Sequence, residues 1–178
     1  GLILVYEALR RFFRPCPSLL SALTIVLATP LALYALRLPA SSHAPSAFSV
    51  ALVIFLSLRY REFHDWRQYA LIGAALGLAA LTRWQNVLYG LVPFALWLER
   101  ILRRENGRNL PKESLRVVAG GLAFLAVFSI QSFYWKAIFG TFLTVPQSEG
   151  FMLWGNPKIL EVLFSGWHGL YYVHPILL

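Results

Sequence analysis

The stretch GLAALTRWQNVLYGLVP, residues 77–93, sets an arginine, followed by Trp, Gln and Asn, inside a long apolar run. Read as one helix, 69–97 would hold about 29 residues and span about 43 Å, well beyond a hydrocarbon core of about 30 Å. Arg83 would then lie near its midpoint, where holding a guanidinium against lipid costs about 3 kcal/mol or more. Two short helices, 69–81 and 87–98, joined by a polar turn at TRWQN, remove both difficulties. They place Arg83 at an interface or in a cavity within protein.

The surroundings support a membrane setting. Of 178 residues, 58% are hydrophobic and only 13% charged, too few charges for the surface of a soluble domain of this size. Lipid cannot satisfy free backbone N–H and C=O groups, so the expected form is helical. The expected fold class is all-α: a polytopic transmembrane helix bundle, with short paired helices around Arg83 and a long external segment before the last span. The spans expected within this single transmembrane domain, residues 1–178, are 1–9 (partial), 18–38 with a kink at Pro30, 45–58, 69–81, 87–98, 117–139 and 170–178 (partial). The chain lacks an initiator Met, begins on what reads as the tail of one span and ends on the start of another, so it is expected to be an internal fragment of a longer protein. Its single cysteine, Cys16, cannot form an internal disulfide and reads as a bystander.

The formal charge of +8 invites a nucleic-acid reading. Location removes it. Arg10, Arg11 and Arg14, then Arg59, Arg61 and Arg67, then Arg100, Arg103, Arg104, Arg108, Lys112 and Arg116 fall in alternate connections, the pattern of cytoplasmic loops. The most charged stretch, ERILRRENGRNLPKESLR, reads as a solvated loop. Net charge is thus explained by topology and anionic headgroups, and no nucleic-acid partner is expected.

Four features then converge on the opposite face: LPASSHAP with His43, the TRWQN tip, the segment 140–158, and SGWHGLYYVHP. Trp84, Trp154, Trp167, Tyr171 and Tyr172 sit where interfacial aromatic belts form. Gly73 and Gly77 form a GxxxG pair, read as a close helix contact. Gln131 reads as an interhelical hydrogen-bond partner. Arg83 carries two readings side by side. One is a snorkelling or interface arginine; the other is a guanidinium that, flanked by Gln85 and Asn86, grips a phosphate or carboxylate in a two-pronged contact. His168 and His174 stand six apart with no Cys or carboxylate cluster, so no metal site is supported and no cofactor is identified. Glu149 and Glu161 have no carboxylate neighbours in sequence, which does not support a paired-carboxylate glycosidase.

PASSHAPSAFSVALVIFLSLR (39–59), GAALGLAALTRWQNVLYGLVP (73–93) and LFSGWHGLYYVHPILL (163–178), in this order, resemble the integral-membrane glycosyltransferases of the GT-C fold, in particular bacterial relatives of protein mannosyltransferases and aminoarabinose transferases. The resemblance implies an enzyme that takes a sugar from a polyprenyl-phosphate carrier and transfers it to a glycan, lipid or protein acceptor on the periplasmic side of a bacterial inner membrane. It also implies a catalytic Asp in the first external loop, expected upstream of Gly1. His174 departs from the small hydroxylated residue that such relatives carry before the Pro of the last motif.

On this reading Arg83 binds the donor phosphate, and His43, Gln85, Asn86, Trp167, His168, Tyr171 and His174 form the rim of the substrate site. The competing classes are a transporter or flippase, which also uses intramembrane arginines and broken helices, and a noncatalytic membrane subunit. Transporter sites gather near the midplane, whereas the polar features here gather at one face.

Overall fold

A computed structural model describes residues 1–29, 31–37, 41–62, 65–103, 110–144, 158–166 and 171. Among these residues the chain is all helical, with no strand. The helices are α1 (Leu2–Leu9), α2 (Pro15–Leu27), α3 (Leu31–Arg37), α4 (His43–Arg59), α5 (Trp66–Thr82), α6 (Leu91–Leu102), α7 (Leu110–Phe139) and α8 (Ile159–Phe164), with a 3-10 segment at Trp84–Gly90.

Local chemistry sets the boundaries. Pro15 and Pro17 fall in the first turn of α2, where a missing N–H is tolerated. Within the apolar stretch 18–38, α2 ends at Leu27 and α3 starts at Leu31; Pro30, where the kink is expected, lies outside the described residues. A proline removes one helical N–H and its ring collides with the carbonyl four residues back, which accounts for a break at this point. Asp65 opens α5 with a capping box. Its side chain accepts from the Gln68 N–H, and Gln68 Oε1 accepts from the Asp65 N–H at 3.3 Å.

α5 stands at the centre, packed against α4 on one side and, most extensively, α7 on another. At its glycines the α5–α7 contact brings backbone against backbone. A Cβ added at Gly73 would lie 2.0 Å from the Gly120 carbonyl oxygen, and one at Gly77 would lie 2.9 Å from that of Phe124. The GxxxG pair is therefore a close helix contact, made possible by glycine's lack of a side chain. α7 contains the one described helix long and apolar enough, by length and composition, to cross a membrane, Glu113–Phe139. Leu122, Leu125 and Ile130 leave its sides apolar and exposed.

The basic connections meet at one end of these helices. Arg11 Nη1 donates to the Leu58 carbonyl at 3.2 Å, Arg61 grips both oxygens of Glu99 at 2.9 and 3.0 Å, and Arg100 pairs with Glu113 at 2.7 Å. The charged stretch beginning at Glu99 is not wholly a solvated loop. Its ends are helical, and Arg100 and Glu113 are buried, 7% and 5% exposed. Glu113 accepts from Arg100, from Arg116 at 2.8 Å and from the Tyr69 hydroxyl at 2.8 Å, so α5, α6 and α7 are tied by one carboxylate. Burial of a charge is tolerable when it is paired and hydrogen-bonded in this way.

Candidate functional site

At the opposite end of α4 and α5 the helix is interrupted where Arg83 falls. Arg83 has extended backbone, φ −155° and ψ 122°, between the last turn of α5 and the first of the 3-10 segment. The interruption is built by side chains that compete for helix carbonyls. The Ala79 carbonyl accepts from the Arg83 N–H at 3.1 Å, from Thr82 Oγ1 at 2.7 Å and from Asn86 Nδ2 at 3.1 Å. Polar side chains that bond back to the main chain in this way supply an alternative to the next helical turn. The continuation after the tip is a 3-10 segment followed by α6, so the second arm of the hairpin starts as a tighter coil than an α-helix from residue 87.

Asn86, buried at 8% exposure, holds the tip to α4. Its Nδ2 lies 2.8 Å from Ser46 Oγ and 3.2 Å from Thr82 Oγ1, and Thr82 Oγ1 lies 3.3 Å from Ser49 Oγ. With two N–H groups and three acceptors, one bond at Nδ2 is shared. Fixed in this way, Arg83 extends over the start of α4. Its Nε donates to Ser42 Oγ at 3.1 Å, and its Nη2 stands 3.3 Å from both Nδ1 and Nε2 of His43. Only one ring nitrogen of a neutral imidazole has an acceptor lone pair, and a point equidistant from both is not aligned with it, so the guanidinium rests against the imidazole as a whole. The Tyr34 ring stacks on the same imidazole, centroids 4.0 Å apart and planes 18° from parallel. Arg83 remains exposed, with N–H groups beyond those directed at Ser42 and His43.

An apolar trough leads to this end. A cavity of about 440 Å³ runs between α5, α6 and α7, lined by Leu76, Val87, Phe94, Trp97, Val117 and Phe124 among others. A second, of about 360 Å³, shares Val87 and Phe124 with it and is also lined by Trp84, the neighbour of Arg83.

Of the residues expected to form the site, His43, Arg83 and Asn86 come together, with Gln85 exposed on the same 3-10 turn. Tyr171 packs on Phe164, ring centroids 5.3 Å apart. Trp167, His168 and His174 lie outside the described residues, as do Glu149, Trp154 and Tyr172. Tyr34, Ser42, Ser46, Ser49 and Thr82 belong to the constellation but were not singled out from the sequence. Serines at 42, 46 and 49 follow helical spacing, i, i+4, i+7, and that periodicity was the available signal. Among the described residues no group of three or more His, Cys, Asp or Glu could hold a metal ion.

Residues 1–143 match the family model described as dolichyl-phosphate-mannose-protein mannosyltransferase, a match that takes in Tyr34, His43, Arg83 and Asn86. No curated protein and no solved structure matches the chain.

Proposed function

The chain belongs to the dolichyl-phosphate-mannose-protein mannosyltransferase family, membrane glycosyltransferases of the GT-C type, and from that premise we propose that it serves transfer of a sugar from a polyprenyl-phosphate carrier to an acceptor on the periplasmic face of a bacterial inner membrane. The observation that carries this reading is the placement of Arg83. It is an exposed guanidinium held by Ser42 and His43 on an interrupted helix, at the end of an apolar trough. A phosphate on a lipid tail asks for that combination: a two-pronged cation for the headgroup and a greasy channel beside it for the chain.

In the proposed reaction the acceptor hydroxyl attacks the sugar C1. The bond from C1 to the carrier phosphate oxygen breaks, the bond from C1 to the acceptor oxygen forms, and the hydroxyl proton passes to a general base. The carrier phosphate gains negative charge as it leaves. A cation already in place stabilises that developing charge more in the transition state than in the ground state, which is the condition for raising the rate rather than only the affinity. Arg83 has that role here, with His43, Gln85 and Asn86 around it.

The side of the membrane follows from charge. The connections carrying Arg11, Arg61 and Arg100 meet at the other end of the helices, which under the positive-inside rule faces the cytoplasm. That leaves Arg83 facing out. The test is transfer from a radiolabelled polyprenyl-phosphate sugar by the full-length enzyme carrying Arg83→Gln. A fall of about 10²–10³ in kcat is expected from the loss of one preorganised contact to the departing charge. Unchanged transfer would remove Arg83 from the mechanism.

A further inference from the structure

We propose that the basic end of the bundle carries a second, separate anion site, a pocket that binds the headgroup of an anionic phospholipid through Arg11 and Arg59. The pocket encloses about 480 Å³ between the turn after α1 and the end of α4, and Arg11, Phe12, Arg59, Tyr60, Arg61 and Glu62 are among its lining residues. It lies at the far end of α4 from His43, about 24 Å away along the 17 residues of that helix. It is therefore distinct from the Arg83 site and independent of the transfer reaction.

The three arginines of the pocket are not equivalent. Arg61 is occupied: it grips both oxygens of Glu99, which also pairs with Arg103. The hydrogen bond from Arg61 holds the Glu99 carboxyl below its ordinary range, so at neutral pH this partner stays anionic. Arg11 and Arg59 have no carboxylate partner among the described residues. Arg11 gives one N–H to the Leu58 carbonyl and keeps its others. The Arg59 guanidinium sits 5.8 Å from the Phe55 ring centroid and 6.0 Å from that of Tyr60, an aromatic shelf that orients a cation without neutralising it. Capping the end of α4 accounts for one hydrogen bond of Arg11 and leaves two cationic residues lining one open pocket, whose lining has the single carboxylate of Glu62.

Two arginines without a carboxylate partner, lining one cavity of this size, fit a phosphate. The neighbours decide its source. Phe12, which lines the pocket, and its chain neighbour Phe13 are 60% and 58% exposed, two apolar rings left uncovered in a chain that belongs to a membrane family. A soluble phosphate has no use for them, whereas a phospholipid lays its chains there while the headgroup enters the pocket.

The experiment uses the full-length protein in phosphatidylcholine nanodiscs and measures the shift in unfolding midpoint when phosphatidylglycerol replaces part of the lipid. The wild type is expected to shift upward. Arg11→Gln/Arg59→Gln is expected to lose the shift, with phosphatidylglycerol affinity falling about fivefold to tenfold per arginine removed. An equal shift in wild type and double variant overturns the proposal. So does an equal loss in Arg14→Gln/Arg67→Gln, which removes the same charge outside the pocket, or an equal stabilisation by inorganic phosphate alone. Should the double variant fail to fold, a photoactivatable phosphatidylglycerol on the wild type decides: crosslinks within 10–14 and 58–62 uphold the site, and labelling confined elsewhere overturns it.

Discussion

Arg83 Nη2 stands 3.3 Å from both ring nitrogens of His43, while Tyr34 stacks on that imidazole at 4.0 Å. His43 thus holds the guanidinium in place from behind. On the proposed mechanism it acts through Arg83, and His43→Ala is expected to lower transfer about tenfold, less than the 10²–10³ of Arg83→Gln. If His43 acts only through Arg83, the double variant is no slower than Arg83→Gln alone, a coupling that a thermodynamic cycle reads directly. His43→Phe, which keeps a ring under the cation, retains most of the rate.

Asn86 is a donor to three acceptors, so its two simplest replacements have different expected outcomes. Asn86→Ala leaves the Ser46 and Thr82 hydroxyls to re-pair and lowers stability by about 1–3 kcal/mol. Asn86→Asp turns the donor into an acceptor facing the Ala79 carbonyl and is worse than Ala. Thermal midpoints in detergent separate the two; an Asp variant as stable as wild type would contradict the assigned direction of these bonds.

The α5–α7 contact distinguishes glycines that look alike in sequence. Gly73→Ala drives a methyl into the Gly120 carbonyl, and about 1–3 kcal/mol of destabilisation follows from overpacking. Gly121→Ala meets nothing within 4 Å and improves helix propensity, so it is neutral or slightly stabilising. Reversed midpoints for the two would mean the helices are packed on a different face.

Buried and exposed ion pairs are expected to diverge just as clearly. Glu113→Ala removes the carboxylate that pairs with Arg100 at a buried position and destabilises by about 3–5 kcal/mol. Glu161→Ala breaks the exposed pair with Lys158, worth about 0–1 kcal/mol. The same denaturation measurement covers both.

Acid acts on the clamp at Glu99. Its carboxyl is lowered, first by the hydrogen bond from Arg61, so the contribution of the clamp is fully present above the ordinary carboxylate range and is lost as pH falls through the lowered value. Between pH 6 and 8 Glu99 adds no slope. A wild-type stability profile compared with that of Glu99→Gln is expected to differ in slope only on the acid side.

The break at Arg83 was legible because the five residues of TRWQN, polar or aromatic, interrupt an apolar run too long for one crossing, and length against bilayer thickness is a strong constraint. The partners of Arg83 were legible only in part. His43 stood out as a histidine among small residues, but what Ser42, Ser46 and Ser49 meet is visible only once α5 is laid against α4. Their helical spacing marks a common face, but its pairing with residues 33 to 41 positions away is set by tertiary packing. Arg100 and Glu113 were hidden for the opposite reason. They lie in a stretch so rich in charge that solvation is the natural reading, and only the folded chain shows which two of those charges find each other away from water.

The backbone contact of Gly73 with Gly120 also sets a gauge. Both glycines belong to the floor of the trough, and with no side chain between the two helices there is no rotamer to swing aside. The spacing there is dictated by main-chain radii. On the proposed function, substitutions along the walls change the texture that the carrier's hydrocarbon tail meets, while the width at this point stays where two polypeptide backbones have fixed it.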